Sequence, residues 1–169
     1  MLETKDLILD KAKFLDWEDM YRNVWSRPES AKHMIWRVTT SESDAKERIL
    51  RVIQYQEKHE EYLVYEKSGG KAIGFAGVEE FAPQAWQETG ICLGPDYVGK
   101  GYGKQILQCL MEYCRTAYHA EEFAYSAREK NEAAHGLAKS MGFCRIGYEP
   151  REDRRDGSHY TLVKYSITL

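Results

Sequence analysis

The chain has 169 residues, 43% of them hydrophobic and 30% charged, which is enough apolar material for one domain with a real core. Its 24 lysines and arginines are outnumbered by 27 acidic residues. The formal charge of −3 contains no basic stripe, which argues against nucleic acid as a main partner. No apolar run approaches the roughly 18 residues that span a bilayer, and the opening MLETKDLILDKAK lacks the apolar centre of a signal peptide. A cytoplasmic location without a membrane partner is expected.

In chain order, DLILDKA is expected to form a first strand. Residues 14–27 carry Phe14, Trp17, Met20, Tyr21, Val24 and Trp25 at helical spacing, and Pro28 ends that helix. PESAKHMIWRVTT is irregular and holds Met34, Ile35 and Trp36. Ser41 with Asp44 three residues on marks a helix start, and that helix is expected to reach about Glu60. Two β-rich runs flank Ser68-Gly69-Gly70, a hairpin signal. Residues 86–94 read as another strand, closed by Gly94-Pro95.

A glycine-rich stretch follows, then a helix to about Tyr118 with Ile106, Leu107, Leu110, Met111, Cys114 and Ala117 on its apolar face. EEFAYSA is a strand, NEAAHGLAKSMGF a helix stopped at Gly142, and CRIGYEP and HYTLVKYSITL a late pair of strands. Between those two, REDRRDG reads as a solvated loop. The order β-α-α-β-β-β-α-β-α-β-β implies a mixed α/β sheet in one domain, residues 1–169. The four cysteines (Cys92, Cys109, Cys114, Cys144) include no CxxC pair and are read as reduced and mostly buried. The five histidines are scattered, so no metal is expected.

GPDYVGKGYGKQIL, residues 94–107, holds four glycines directly ahead of a helix. Glycine inside an element costs roughly 0.5–1 kcal/mol relative to alanine, so the cluster needs a reason. A strand, a glycine turn and a helix start together make an anion site, because exposed N–H groups and the helix dipole favour phosphate. A nucleotide P-loop fits GPDYVGK but then needs Ser or Thr, the magnesium ligand, where Gly101 stands. A dinucleotide loop fits Gly99 and Gly101 but finds Lys104 where its third glycine belongs. A plain tight turn would need only one glycine.

The third phosphate loop, Gln or Arg, two residues, Gly, one residue, then Gly or Ala, matches VGKGYG at Gly101 and Gly103. With ETGICLGPDYVGKGYGKQILQCLMEYC followed by NEAAHGLAKSMGF, the chain resembles the GNAT superfamily of N-acetyltransferases. MIWRVTTSESDAKERI is similar to its ribosomal-protein N-terminal acetyltransferase branch. The resemblance implies a GNAT-like α/β fold: a mixed, mostly antiparallel sheet with helices on both faces. It also implies acetyl-CoA as co-substrate and transfer of the acetyl group to a primary amine, on a protein N-terminus or a small molecule, by direct attack on the thioester.

The resemblance assigns the coenzyme pyrophosphate to the amides of Gly99, Lys100, Gly101, Tyr102, Gly103 and Lys104. Val98 stands where the family has Gln or Arg, so a side-chain contribution there is lost. The pantetheine arm falls to the backbone of Ile91 and Leu93, whose side chains are expected to face the core. Asn131 is a coenzyme contact, a helix N-cap, or both.

Acyl transfer to an amine needs a base, since free amines are mostly protonated at neutral pH. Glu88 matches the family position, with Glu79 and Glu80 as substitutes. The family's Tyr and Ser general acids are replaced by Ala138 and Ala134, which leaves Tyr125, Tyr148, Ser140 or water. Cys92 is read as a buried thiol rather than a nucleophile. Trp36, Met34 and Trp25 are expected either to wall an acceptor pocket between the N-terminal helices and the late hairpin or to be plain core. A non-catalytic acyl-CoA-binding module or sensor, and a homodimer, stay open.

Overall fold

The alternation in LILD, with apolar side chains on one face of a strand, buries Leu7 and Leu9 completely. The computed structural model describes residues 1–169. The chain divides into two compact units, Met1–Val78 with Thr89–Leu110, and Glu79–Glu88 with Met111–Leu169.

In the first unit, β1 (Leu2–Glu3) pairs antiparallel with β2 (Leu7–Asp10), β2 with β3 (Glu60–Glu66), and β3 with β4 (Lys71–Ala82). The helix expected over residues 14–27 is not continuous. An α-helical turn, α1 (Asp16–Met20), runs into a wider π turn at Tyr21–Trp25. The Ser26 N–H and hydroxyl both donate to the Tyr21 carbonyl, at 3.0 and 2.6 Å, and close that turn. Pro28 does not merely end a helix; it opens a short one, α2 (Pro28–Ala31), as a ring with no N–H can at a first turn.

α3 (Glu42–Gln56) starts where the sequence signals it, the Ser41 hydroxyl accepting from the Asp44 N–H at 3.1 Å. It stops at Gln56, short of the expected Glu60, which instead begins β3. Met20, Val24, Trp25, Ala45, Ile49, Leu63, Ala72 and Cys92 form the core against which these helices and strands close.

β5 (Ala85–Leu93) follows β4 through Pro83-Gln84, with Gln84 at φ +59°. In the second unit its first residues pair parallel with β6 (Glu122–Arg128). β6 pairs antiparallel with β8 (His159–Thr168), and β8 with β7 (Cys144–Glu152). The pattern is mixed and mostly antiparallel. α4 (Tyr102–Tyr118) buries Ile106, Leu107, Leu110 and Cys114 completely.

α5 (Glu132–Ser140) ends at Gly142 as expected. Gly142 takes φ +82°, and the Phe143 N–H reaches back to the Ala138 carbonyl at 3.1 Å. Cys92 and Cys114 are buried, Cys109 is half-buried and Cys144 is exposed, and all four are free thiols.

The loop read as solvated is tied down instead. Asp153 is only 3% exposed, and its carboxylate takes the Arg155 guanidinium at 2.7 Å and the Arg128 guanidinium at 3.0 Å. Hydrogen bonds from Arg155 hold the Asp153 carboxyl well below the usual range. A folded pKa below the unfolded one stabilises above the unfolded value and loses that contribution as pH falls. The stability difference between wild type and Asp153→Asn should therefore be full at pH 7 and shrink below about pH 4, the unfolded Asp range. Urea unfolding across pH 7 to 3 measures it, and a constant difference would contradict it.

Candidate active site

Two of the four loop glycines answer a conformational demand and one answers a packing demand. Gly94 lies against the π turn, where a Cβ would run into the Asn23 carbonyl oxygen, and Asn23 is held by its own amide donating to the Ala72 carbonyl at 2.8 Å. A 3-10 turn, Pro95–Tyr97, follows. Gly99 and Gly101 then take φ +76° and +79°, the left-handed region that disfavours a Cβ. Neither would bring an added Cβ within 4 Å of another group of the chain. The reason for glycine at these two positions is backbone shape alone.

α4 starts at Tyr102, and its opening hydrogen bond runs from the Gln105 N–H to the Gly101 carbonyl at 3.3 Å. The amides ahead of Gln105 are therefore outside the helix ladder and can serve a ligand. Gln105 fixes this end of the helix. Its side-chain oxygen accepts from the Thr4 hydroxyl at 2.7 Å and the Asp6 N–H at 3.1 Å, and its amide donates to the Asp6 carboxylate at 2.7 Å.

The loop side chains are engaged with the protein. The Tyr102 hydroxyl donates to Glu66 at 2.6 Å, and the Lys100 ammonium lies 3.6 Å from the same oxygen and 5.0 Å from the Tyr97 ring centre. The Tyr102 bond lowers the Glu66 carboxyl, and in return Glu66 pushes the Tyr102 phenol up to about 12. Lys104 is exposed, and Gly103 lies within α4.

Ile91 and Leu93 do not face the core as expected. Strand alternation turns Cys92 inward, fully within the core cluster, and leaves Ile91 and Leu93 half-buried on the other face. Burial pushes the Cys92 thiol up to about 12, with its sulfur 3.6 Å from the Ser30 carbonyl, so it is no nucleophile. Asn131 caps α5, its side-chain oxygen accepting from the Ala134 N–H at 3.2 Å, which leaves its amide nitrogen as a donor.

Glu88 lies on β5, just past the residues that pair with β6. Its carboxylate accepts from the Ser126 N–H at 3.1 Å and the Ser126 hydroxyl at 3.3 Å. It lines a cleft of about 220 Å³ with Tyr125, Ser126, Ile146, Lys164 and Tyr165. Glu79 and Glu80 are exposed and occupied locally, Glu79 by the Gln87 amide at 2.8 Å and Glu80 by the Gln84 N–H at 3.3 Å.

Of the acids considered, Tyr125 lines the Glu88 cleft, and burial together with the Glu88 charge pushes its phenol up. Tyr148 is exposed beside the Arg145 guanidinium, and the Ser140 hydroxyl donates to the Leu137 carbonyl. Sequence reasoning missed Tyr165, which lines the same cleft. The His135 Nε2 lies 3.0 Å from the Glu129 carbonyl and so carries a proton in that bond. In the neutral ring Nδ1 is then the acceptor, and the Tyr165 hydroxyl 2.8 Å away donates to it. The spacing of His135 and Tyr165, 30 residues apart, carries no signal; the register of β6 and β8, which sets Tyr165 opposite Tyr125, brings Tyr165 to the cleft.

Trp25, Met34 and Trp36 line a second hollow, of about 340 Å³, together with Arg48, Phe75 and Thr89. All of its lining residues belong to the first unit.

A strand, β5, that leads through two left-handed glycines into a helix with spared amides makes an anion-binding site. The family model for the acetyltransferase (GNAT) domain matches residues 6–144. The chain belongs to the GNAT acetyltransferase family. It is 32% identical over 109 residues to the N-alpha-acetyltransferase RimI of Mycobacterium tuberculosis, a match covering 62% of this chain and 66% of that relative. It shares its fold with a GNAT-family acetyltransferase from Bacillus anthracis, at TM-score 0.83, 17% identity and coverage of 99% and 97%. It does so too with RimL, a ribosomal alpha-N-protein acetyltransferase solved in complex with coenzyme A, at TM-score 0.79, 18% identity and coverage of 98% and 96%. No helix is long and apolar enough to cross a membrane.

Proposed function

We propose that residues 1–169 act as one cytoplasmic acetyl-CoA-dependent N-acetyltransferase domain without a metal. The observation that carries this is the pair of left-handed glycines, Gly99 and Gly101, ahead of the unladdered amides of α4. The amides from Gly99 to Lys104 take the coenzyme pyrophosphate and the backbone of Ile91 and Leu93 takes the pantetheine arm, as an added strand would. The Asn131 amide supplies one further donor. RimL's complex with coenzyme A and the RimI relative support the reading.

In the reaction the amine nitrogen attacks the thioester carbonyl, its surplus proton passes to Glu88 directly or through a water, and the carbon–sulfur bond breaks. The sulfur leaves as a thiolate, which is protonated by Tyr125 or water; the Tyr165 proton is held by His135. The Ser126 hydroxyl and N–H hold the Glu88 carboxylate in place for the first of these steps.

A ligand that binds only the native state adds about 2.7 kcal/mol at a hundredfold excess over Kd. For a chain of this length that is a rise in Tm on the order of 5–10 °C. Acetyl-CoA should give it, and ATP with magnesium should not; no shift with acetyl-CoA would remove the reading. Thiol release with an acceptor panel then separates an enzyme from a sensor that binds the coenzyme without turnover.

A further inference from the structure

Arg48, on α3, is a cation in an unusual setting. Its guanidinium packs over two indoles, with centre distances of 4.7 Å to Trp25 and 4.6 Å to Trp36. One of its N–H groups donates to the buried Thr39 hydroxyl at 3.0 Å; no carboxylate is in salt-bridge contact with it, and Glu61 acts on its charge only through space. Burial lowers it to about 10, which still leaves it charged at neutral pH. A desolvated charge is costly unless paired. Of five donors, four remain. The guanidinium lines the 340 Å³ hollow and also a more open one of about 590 Å³ that adjoins it through Trp36, Val52, Tyr55 and Glu61.

We propose, resting on the acetyl-transfer reading, that the acceptor is an amine that also carries a single carboxylate, an amino-acid-type substrate, and that Arg48 binds that carboxylate. The planar fork of a guanidinium matches a carboxylate with two parallel hydrogen bonds. Its charge opposes a polyamine. Glu61 lines both hollows, burial raising its carboxyl; in its charged form it opposes a doubly charged phosphate more than a carboxylate. Met34, Trp36, Val52 and Phe75 supply an apolar wall for the substrate's side chain.

The test gives the wild-type protein acetyl-CoA with each of the twenty common amino acids, each corresponding amino-acid amide, spermidine and glucosamine 6-phosphate. At least one free amino acid should be acetylated, with kcat/KM about ten to a hundred times that of its amide, the range for losing a charge-assisted hydrogen bond. Arg48→Gln should erase that preference chiefly by raising KM. Arg48→Lys, which keeps the charge but not the fork, should restore only part of it. Amides accepted as well as acids, a preference for spermidine or the sugar phosphate, or no amino acid acetylated while acetyl-CoA still raises Tm, overturns the proposal and leaves acetyl transfer standing. Absence of the acetyl-CoA shift instead overturns the reading beneath it. Should Arg48→Gln fail to fold, the wild-type comparison of acids with amides decides alone.

Discussion

Glu88→Gln is expected to lower turnover by a factor on the order of 10²–10⁴, the usual range for a lost general base. Coenzyme affinity should barely change, because glutamine keeps the shape and the coenzyme is assigned to backbone amides later in the chain. One detail sharpens the expectation. The carboxylate oxygen that accepts from the Ser126 N–H and hydroxyl can be replaced by an amide oxygen without loss of either bond. The substitution therefore removes basicity and leaves the tether.

The defect should shrink as pH rises, since more of the amine then arrives already deprotonated. A pH–rate profile of both proteins with an active acceptor measures this. Unchanged turnover at every pH would move the role to bulk water, or to Glu79 or Glu80 despite their local engagements, and lost coenzyme binding would make Glu88 structural.

Gly101→Val is expected to abolish useful coenzyme affinity while leaving the fold intact. A β-branched residue at φ +79° carries strain of about 1–3 kcal/mol. The loop escapes by rotating back to negative φ, which re-aims the amides that follow. Repaying that strain on binding corresponds to a loss of roughly 5- to 150-fold, and the valine methyls add a steric bar to an approaching pyrophosphate. No group of the chain lies within 4 Å of the added Cβ, so the melting temperature without ligand should fall little.

Gly103→Val should also weaken the coenzyme, by bulk at the first turn of α4. Lys100→Ala should cost less than either, because the ammonium is already engaged with Glu66. Titration of the variants with acetyl-CoA decides. A larger loss for Lys100→Ala than for Gly101→Val would mean that side-chain charge, not backbone shape, holds the phosphates.

Much of this architecture was legible before any coordinates. The Ser41 cap, the stop at Gly142, the Gly69-Gly70 hairpin and the apolar face of α4 are local signals, written within a few residues and read by periodicity. What escaped depends on distant partners. β1 has two residues and exists only through its pairing with β2. The π turn at Tyr21–Trp25 leaves the apolar spacing of residues 14–27 nearly unchanged, so no pattern marks it.

The direction of Ile91 and Leu93 was misread because both are apolar, as is Cys92 between them; only the strand's orientation decides which face is core. REDRRDG looked like a solvated charge run because composition cannot say that Asp153 would find two arginines. The glycine loop was legible as a motif. That Arg48 would meet Trp25 and Trp36 was not, since those three come from three segments joined only by tertiary packing.

The clamp that Glu66 exerts on Lys100 and Tyr102 bears on how the protein lives among other solutes. With Lys100 engaged by Glu66, the glycine turn offers a phosphate directed dipoles more than a mobile positive charge, and only Lys104, one turn on, stays unpaired. Dipoles of this kind act over one turn of helix and reward a ligand that fits their directions. A free lysine would draw in any polyanion from about a Debye length away. Toward competing polyanions the glycine turn is thus less visible at a distance and more selective at contact. The chain's overall negative charge reinforces that privacy.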